Sequence, residues 1–409
     1  MMVAPKLRFK ADDGSEFPAW EKKTLGDIVE RVTRKNRDNQ TDVPLTISSL
    51  DGLVDQRDYF KKTVASKDMS GYFLLQNGEF AYNKSYSVGF DYGSIKRLDK
   101  CPCGALSTLY ICFGLKPNVD IDSDYLTHYF DSQKWNSEVA AICAEGARNH
   151  GLLNVSTSDF FDINIMSPSF SEQRKIADFL SAVDDVIATQ QAEVDAWEQR
   201  KKGVMQKLFS QEVRFKADDG SDFPKWEEKT LGEYCTQLKA SIDPRKSPNT
   251  IFAEYSMPAF DESRKARFVS GREMNSARKI LSEPCVLVNK LNVRKRRIWL
   301  VKNPEQNAVC SSEFVPLSSN AINLTFLSYF ALTDRFTSYL MDCSSGSSNS
   351  QKRVVPDVIL NYVMQIPSLP EQRKIADCLA SMDEVIQKSK DELAKWQELK
   401  KGLLRQMFM

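Results

Sequence analysis

The sequence predicts an α+β chain: two globular α/β domains in a tandem pseudo-twofold repeat, separated by two long helices that form an antiparallel coiled coil. Three observations carry this reading. A block near the N-terminus returns in the middle of the chain. A charged, helix-like block from the middle returns near the C-terminus. The stretches between them alternate short β-rich runs with turns and helical segments.

The first block runs Arg8-Phe9-Lys10-Ala11-Asp12-Asp13-Gly14-Ser15-Glu16-Phe17-Pro18-Ala19-Trp20 and continues through Thr24-Leu25-Gly26-Asp27. It returns from Arg214 through Trp226 to Thr230-Leu231-Gly232-Glu233, at an offset of 214 − 8 = 206. The second block, Glu172-Gln173-Arg174-Lys175-Ile176-Ala177-Asp178, returns from Glu371 to Asp377 at an offset of 371 − 172 = 199. The chain therefore divides into a first domain (1–168), a first long helix (169–210), a second domain (211–367) and a second long helix (368–409). The centres, about 28–167 and 234–366, show no obvious similarity to each other. Matching ends around unlike centres suggest one scaffold carrying two payloads. Plain duplication with drift is the simpler account, but it does not readily leave ends this close beside centres this different.

The helix assignment rests on a seam with alternating spacings of four and three. It runs Ile176, Leu180, Val183, Ile187, Gln190, Val194, Trp197, Lys201, Val204, Leu208. The second copy gives Ile375, Leu379, Met382, Ile386, Ser389, Leu393, Trp396, Lys400, Leu403, Met407. A 3.5-residue period held this long argues for a coiled coil, and at 1.5 Å per residue each helix would span roughly 55–60 Å. Ser169-Phe170-Ser171-Glu172 and Ser368-Leu369-Pro370-Glu371 fit capping boxes, each preceded by a proline, Pro168 and Pro367. Gly203 and Gly402 are unusual inside helices; they permit a close approach or begin the exit. Equivalent helices from a duplication can pack antiparallel, which would put Val183 near Trp396 and Trp197 near Met382. Two helices each lying on its own domain is the blander alternative, and their length argues against it.

Composition excludes several classes. Fifty-six basic and 55 acidic side chains leave a net charge of +1, so global charge names no partner. No run of 18 apolar residues occurs, which argues against a membrane span. Nine cysteines without framework spacing read as reduced thiols, and the expected location is cytoplasmic. The chemistry of catalysis is also missing. The two histidines, His128 and His150, form no His-Glu-x-x-His, and Cys101-Pro102-Cys103 has no partner pair for zinc. No glycine precedes a lysine and no Gly-x-Gly occurs, so neither nucleotide loop is present. The expectation is no catalytic residues, no metal and no cofactor on this chain: a binder.

Each centre carries cationic candidates. Phe80–Asn83, Thr108–Phe113 and Cys285–Asn289 read as strands, and Tyr125–Trp135 and Leu324–Met341 as helices. Residues 264–297 hold eleven Lys and Arg against two acids. Within them Lys290, Asn292, Arg294, Lys295, Arg296 and Arg297 combine cations with an amide, the mixture suited to phosphate contacts and base edges. Weaker counterparts in the first copy are Arg34 and Lys35, and Lys84 and Tyr86. Polar loops precede both long helices, offering Arg148, Asn149 and His150 in one and Asn349, Lys352 and Arg353 in the other. A single basic run is usually a solvated face; its occurrence in both copies strengthens the binding reading.

The duplicated Trp-x-x-x-x-Leu-Gly starts at Trp20 and Trp226, and the duplicated Pro-x-x-x-Glu-Gln-Arg-Lys-Ile-Ala helices beginning at Pro168 and Pro367, frame dissimilar centres. In this the chain resembles the DNA-specificity subunit of type I restriction–modification systems. The resemblance implies that each centre is a target-recognition domain and that the helices form a spacer. It further implies two modification subunits, adenine methyltransferases using S-adenosylmethionine, and two ATP-dependent restriction subunits as partners, around double-stranded DNA with a bipartite asymmetric target. The loops at Gly146-Ala147-Arg148-Asn149 and Gly346-Ser347-Ser348-Asn349 match a glycine-containing loop of that family; the second lacks the arginine and supplies Lys352 and Arg353 slightly later. Two rival readings are a non-catalytic coiled-coil adaptor joining two protein-binding domains, and a duplicated enzyme with an unrecognised site.

Overall fold

The computed structural model describes residues 5–60, 65–143, 153–348 and 350–408. The chain forms two compact units, one of residues 1–191 with 391–409 and the other of residues 192–390. This division departs from boundaries at 169 and 368, because each unit takes in half of both long helices.

In the first unit, Val29–Arg31, Ile111–Leu115, Phe80–Asn83 and Ser94–Arg97 make a four-stranded antiparallel sheet in that spatial order. In the second, Thr236–Gln237, Phe314–Ser318, Cys285–Asn289 and Ile298–Val301 do the same. The registers coincide as well. Phe80 faces Phe113 and Arg97, while Val286 faces Leu317 and Leu300. Arg31 pairs with Phe113 as Gln237 pairs with Leu317. Centres that look unrelated in sequence thus share a framework, and the shared strands hold different apolar side chains because a packed sheet constrains size and polarity more than identity.

What differs is the decoration. The first unit adds two small hairpin-like pairs, Leu45–Ser48 with Gly52–Asp55 and Phe73–Gln76 with Cys103–Leu106, around a core of their own. The second adds a five-stranded sheet in which Ile251–Tyr255 runs parallel to Ala308–Ser311. Two sequence expectations shift. The strand placed at Thr108–Phe113 begins at Ile111, since Ser107 to Tyr110 make a turn. The helix placed at Tyr125–Trp135 stops at Asp131, and the one placed at Leu324–Met341 breaks in two. Gln133 takes a left-handed backbone conformation after Ser123–Asp131, and the Thr333 hydroxyl caps a new helix, Asp334–Asp342, after Leu324–Phe330.

The long helices are Phe170–Phe209 and Leu369–Met407. In the first unit Ile176, Ala177 and Leu180 share a core with Leu404, Met407 and Phe408, and Asp184 meets Lys400 at 2.6 Å. In the second, Leu208 shares a core with Ile375 and Leu379, and Lys201 meets Asp383 at 2.5 Å. One helix ascends as the other descends, so the pairing is antiparallel within each unit. Of the seam positions, Ile176, Leu180, Val183, Val194, Ile375, Leu379, Ile386, Ser389 and Leu393 are buried; Ile187, Gln190, Trp197 and Met382 are half-buried; Trp396 is exposed. The seam lysines are equivalent (400 − 201 = 199) and so are their aspartate partners (383 − 184 = 199).

The capping boxes expected at the helix starts do not form. The Ser169 and Ser368 hydroxyls are buried without a partner, because the glutamates are engaged elsewhere. Glu172 is fully buried and accepts two hydrogen bonds from Arg8, at 2.7 and 2.8 Å, and one from the Trp20 indole at 3.2 Å. Glu371 repeats this with Arg214 at 3.0 and 2.7 Å and Trp226 at 3.2 Å. The next residue ties the helix to the domain. Gln173 accepts from the Asp122 N–H and donates to the Pro168 carbonyl; Gln372 accepts from Asn323 and donates to Pro367. True N-terminal boxes lie elsewhere, where Asp27 and Glu233 accept from the Thr24 and Thr230 N–H groups.

The glycines of the repeats separate into two kinds. A Cβ on Gly26 or Gly232 would lie 3.1 or 3.3 Å from the carbonyl oxygen of Phe161 or Leu360, so the Leu-Gly motif permits a close helix crossing. A Cβ on Gly203 or Gly402 would meet nothing. Alanine at either helix position should therefore stabilise the protein by about 0.5–1 kcal/mol, read as a higher urea midpoint. Arg214→Ala should do the reverse, costing about 3–5 kcal/mol by leaving the buried Glu371 carboxylate without its counter-charge; an unchanged midpoint would refute the role given to that pair.

Candidate nucleic-acid interface

One inner strand of each four-stranded sheet, Phe80–Asn83 and Cys285–Asn289, ends in an asparagine followed by a lysine. Asn83-Lys84 stands at the end of one and Asn289-Lys290 at the end of the other, at an offset of 289 − 83 = 206, that of the N-terminal repeat. In each unit the lysine carbonyl accepts a hydrogen bond from the segment leading into the last short helix: Leu153 N–H at 2.9 Å for Lys84, Val354 N–H at 3.0 Å for Lys290. The strand end and the chain entering the long helix are thereby stapled together.

In the second unit this staple gathers most of the cationic candidates. Lys290, Asn292 and the turn Val293–Lys295 lie beside Lys352 and Arg353, joined by the Asn292 N–H to the Lys352 carbonyl at 2.8 Å and a bridge between Leu291 and Arg353. The loop is closed from inside by Asn289. Its Oδ1 accepts from the Arg297 N–H at 2.9 Å, and its Nδ2 donates to the carbonyls of Leu291 and Asn292. Asn292 and Arg296, flanking the turn, both adopt left-handed backbone conformations, each costing roughly 1–2 kcal/mol for a side-chain-bearing residue. The surrounding hydrogen bonds hold that shape.

The cations in this cluster have different tasks. Arg297, expected to face DNA, is turned inward: it is buried and grips Asp261 through two nitrogens at 2.7 and 2.6 Å. That arginine holds Asp261 below the usual carboxylate range. Arg296 donates to the Leu332 carbonyl and Asp334, and Arg353 pairs with Glu313. Arg294 and Lys295 are exposed at the tip, and their side chains make no hydrogen bond among the described residues. With Lys290 and Lys352 they give the surface its uncompensated positive charge.

In the first unit the candidates are more scattered. Arg34 makes a two-pronged pair with Glu79, at 2.8 and 2.7 Å, and the Lys35 ammonium donates to the Gly71 carbonyl and lies over the Phe73 ring. Lys84 is half-buried, whereas Tyr86 and Val88 project into solvent. Arg148, Asn149, His150 and, in the second unit, Asn349 lie outside the described residues. Asn289 and Asp261 are the functional supports that sequence reading missed. Extending the 206 offset past residue 27 would have revealed Asn289.

Burial pushes the Cys112, Cys235, Cys285 and Cys310 thiols up to about 12, far from nucleophilic. Among the described residues no group of three His, Cys, Asp or Glu could hold a metal ion, and no helix is long and apolar enough to cross a membrane.

Comparison with known proteins converges on one family. The family model for the type I restriction modification DNA specificity domain matches residues 19–196. Over its whole length the chain is similar to the type I restriction enzyme MjaVIII specificity subunit of Methanocaldococcus jannaschii, 24% identical over 99% of this chain and 96% of that one. A putative MjaX specificity subunit of the same organism is 25% identical over 59% of each chain. The crystal structure of the type I restriction–modification S subunit from M. genitalium shares the fold, with a TM-score of 0.55 at 16% identity, covering 100% of this chain and 99% of that one.

The inward placement of Arg297 carries a direct test. Arg297→Ala should lower the unfolding midpoint, because it removes the clamp on Asp261, whereas Arg294→Ala should leave stability within about 0.5 kcal/mol of wild type. Equal effects would mean the tip and the clamp are not distinct.

Proposed function

We propose that this chain is the sequence-specific double-stranded DNA recognition subunit of a type I restriction–modification complex, each unit reading one half of a bipartite asymmetric site. One observation carries the reading: a shared sheet in both units presents unlike, partly cationic loops from the same strand end, in a chain whose first unit matches a DNA specificity domain. Shared framework gives both units one way to approach a duplex. Different loops give each its own bases. Phosphate contacts from the exposed cations supply affinity and register, and side chains at the loop tips supply discrimination.

On this reading the long helices set the spacing between half-sites and dock two modification subunits, adenine methyltransferases that carry S-adenosylmethionine. Two ATP-driven restriction subunits complete the assembly in the cytoplasm. This chain itself is non-catalytic and binds no cofactor; its task is to position DNA so that a target adenine can be turned out of the stack by the modification subunits.

Salt decides between this reading and a protein-binding adaptor. Affinity for duplex DNA should fall steeply with ionic strength, the logarithmic slope growing by about 0.9 for each phosphate contacted; a flat response would favour the adaptor. Exchanging residues 28–167 for the centre of another family member should change one half of the methylated sequence and leave the other intact. A change in both halves would contradict independent readers.

A further inference from the structure

The two units give their candidate DNA contacts a common part and a private part. The common part is the strand-end lysine. Sheet register aligns Phe80 with Val286, Ala81 with Leu287 and Tyr82 with Val288, so Lys84 and Lys290 occupy one position in two copies of the framework. Both are half-buried at the base, both follow an asparagine whose side chain organises the next turn, and both are stapled through their carbonyl oxygens. Immediately beyond them the copies diverge. Ser85-Tyr86-Ser87-Val88 follows one, and Leu291-Asn292-Val293-Arg294 the other.

From this we infer that Lys84 and Lys290 are equivalent phosphate anchors, one per unit, and that target preference resides in the divergent tips beyond them. The inference rests on the DNA-recognition reading. Its physical basis is the difference between ends of the loop. The base of each loop is fixed by the sheet and the staple, so the backbone of each lysine holds the same place in its framework. The Lys84 ammonium lies 3.5 Å from the Val155 carbonyl, within reach of solvent on a flexible stem, and an ammonium on such a stem reads charge, not bases. The tips are free to differ because the sheet does not constrain them. In the second unit the tip is also preorganised: Asn289 and Arg297 close it from within and leave Arg294 and Lys295 outside. A preformed loop discriminates better, since less ordering opposes binding.

The test uses the full chain and a pool of duplexes carrying a randomised segment, with affinity for a fixed random-sequence duplex measured across a salt series. Lys84→Ala and Lys290→Ala should each weaken binding by about five- to tenfold on every duplex and lower the salt slope by about 0.9. The sequence recovered from the pool should be unchanged. Lysine-to-arginine replacement at either position should restore the slope, which a merely structural role would not require. Arg294→Ala should instead alter the bases recovered for one half of the site. A lysine variant that changes the recovered bases, or that keeps the full slope while folding normally, overturns the inference. A wild-type chain whose binding does not respond to salt would overturn the DNA-recognition reading itself.

Discussion

A buried carboxylate at the start of each long helix organises the protein. Glu172 and Glu371 have no exposed side-chain surface, and an isolated carboxylate in such a place would cost several kcal/mol. Arg8 with Trp20, and Arg214 with Trp226, remove that cost by directing three N–H groups at each carboxylate. The demand is geometric as well as electrical. It fixes the segment that opens each sequence repeat against the long helix that closes it. The adjacent glutamine then ties both to the helix that covers the sheet. The two blocks duplicated in the sequence are duplicated together because they are each other's partners.

This explains what could be read from sequence. The helices were legible because a seam held over many turns has few other interpretations, and its two lysines were correctly placed even though their aspartate partners were not foreseen. The Glu-Gln motif was legible as a signal but misread as a cap: Ser169 and Glu172 have the right spacing, and nothing local reveals that Arg8 competes for the carboxylate. The common sheet was hidden because its strands are short and differ in composition, Phe-Ala-Tyr against Val-Leu-Val. Register made the equivalence visible. Among the site residues, charge pointed to the cluster, but no count of cations could separate Arg294, facing outward, from Arg297, gripping Asp261 three residues later.

The same contrast separates framework from payload. Residues whose partners lie far along the chain, such as Gly26 against Phe161 or Gln372 against Asn323, recur in both copies because each depends on a distant backbone group. Residues at loop tips answer only to what they touch outside. The left-handed pair Asn292 and Arg296 lies at the boundary: strained backbone, held by hydrogen bonds from the framework, with the exposed Arg294 and Lys295 between them.

The first unit is assembled from two stretches of chain with the whole of the second unit between them. Its aromatic core includes Phe408, packed on Trp20, Tyr125 and Tyr129. During translation, then, residues 1–191 emerge before the piece that completes them, and residues 192–390 are all made in the interval. The unit begun first is completed after its neighbour. A cut between residues 391 and 408 removes Phe408 from that aromatic core and leaves every residue of the second unit in place.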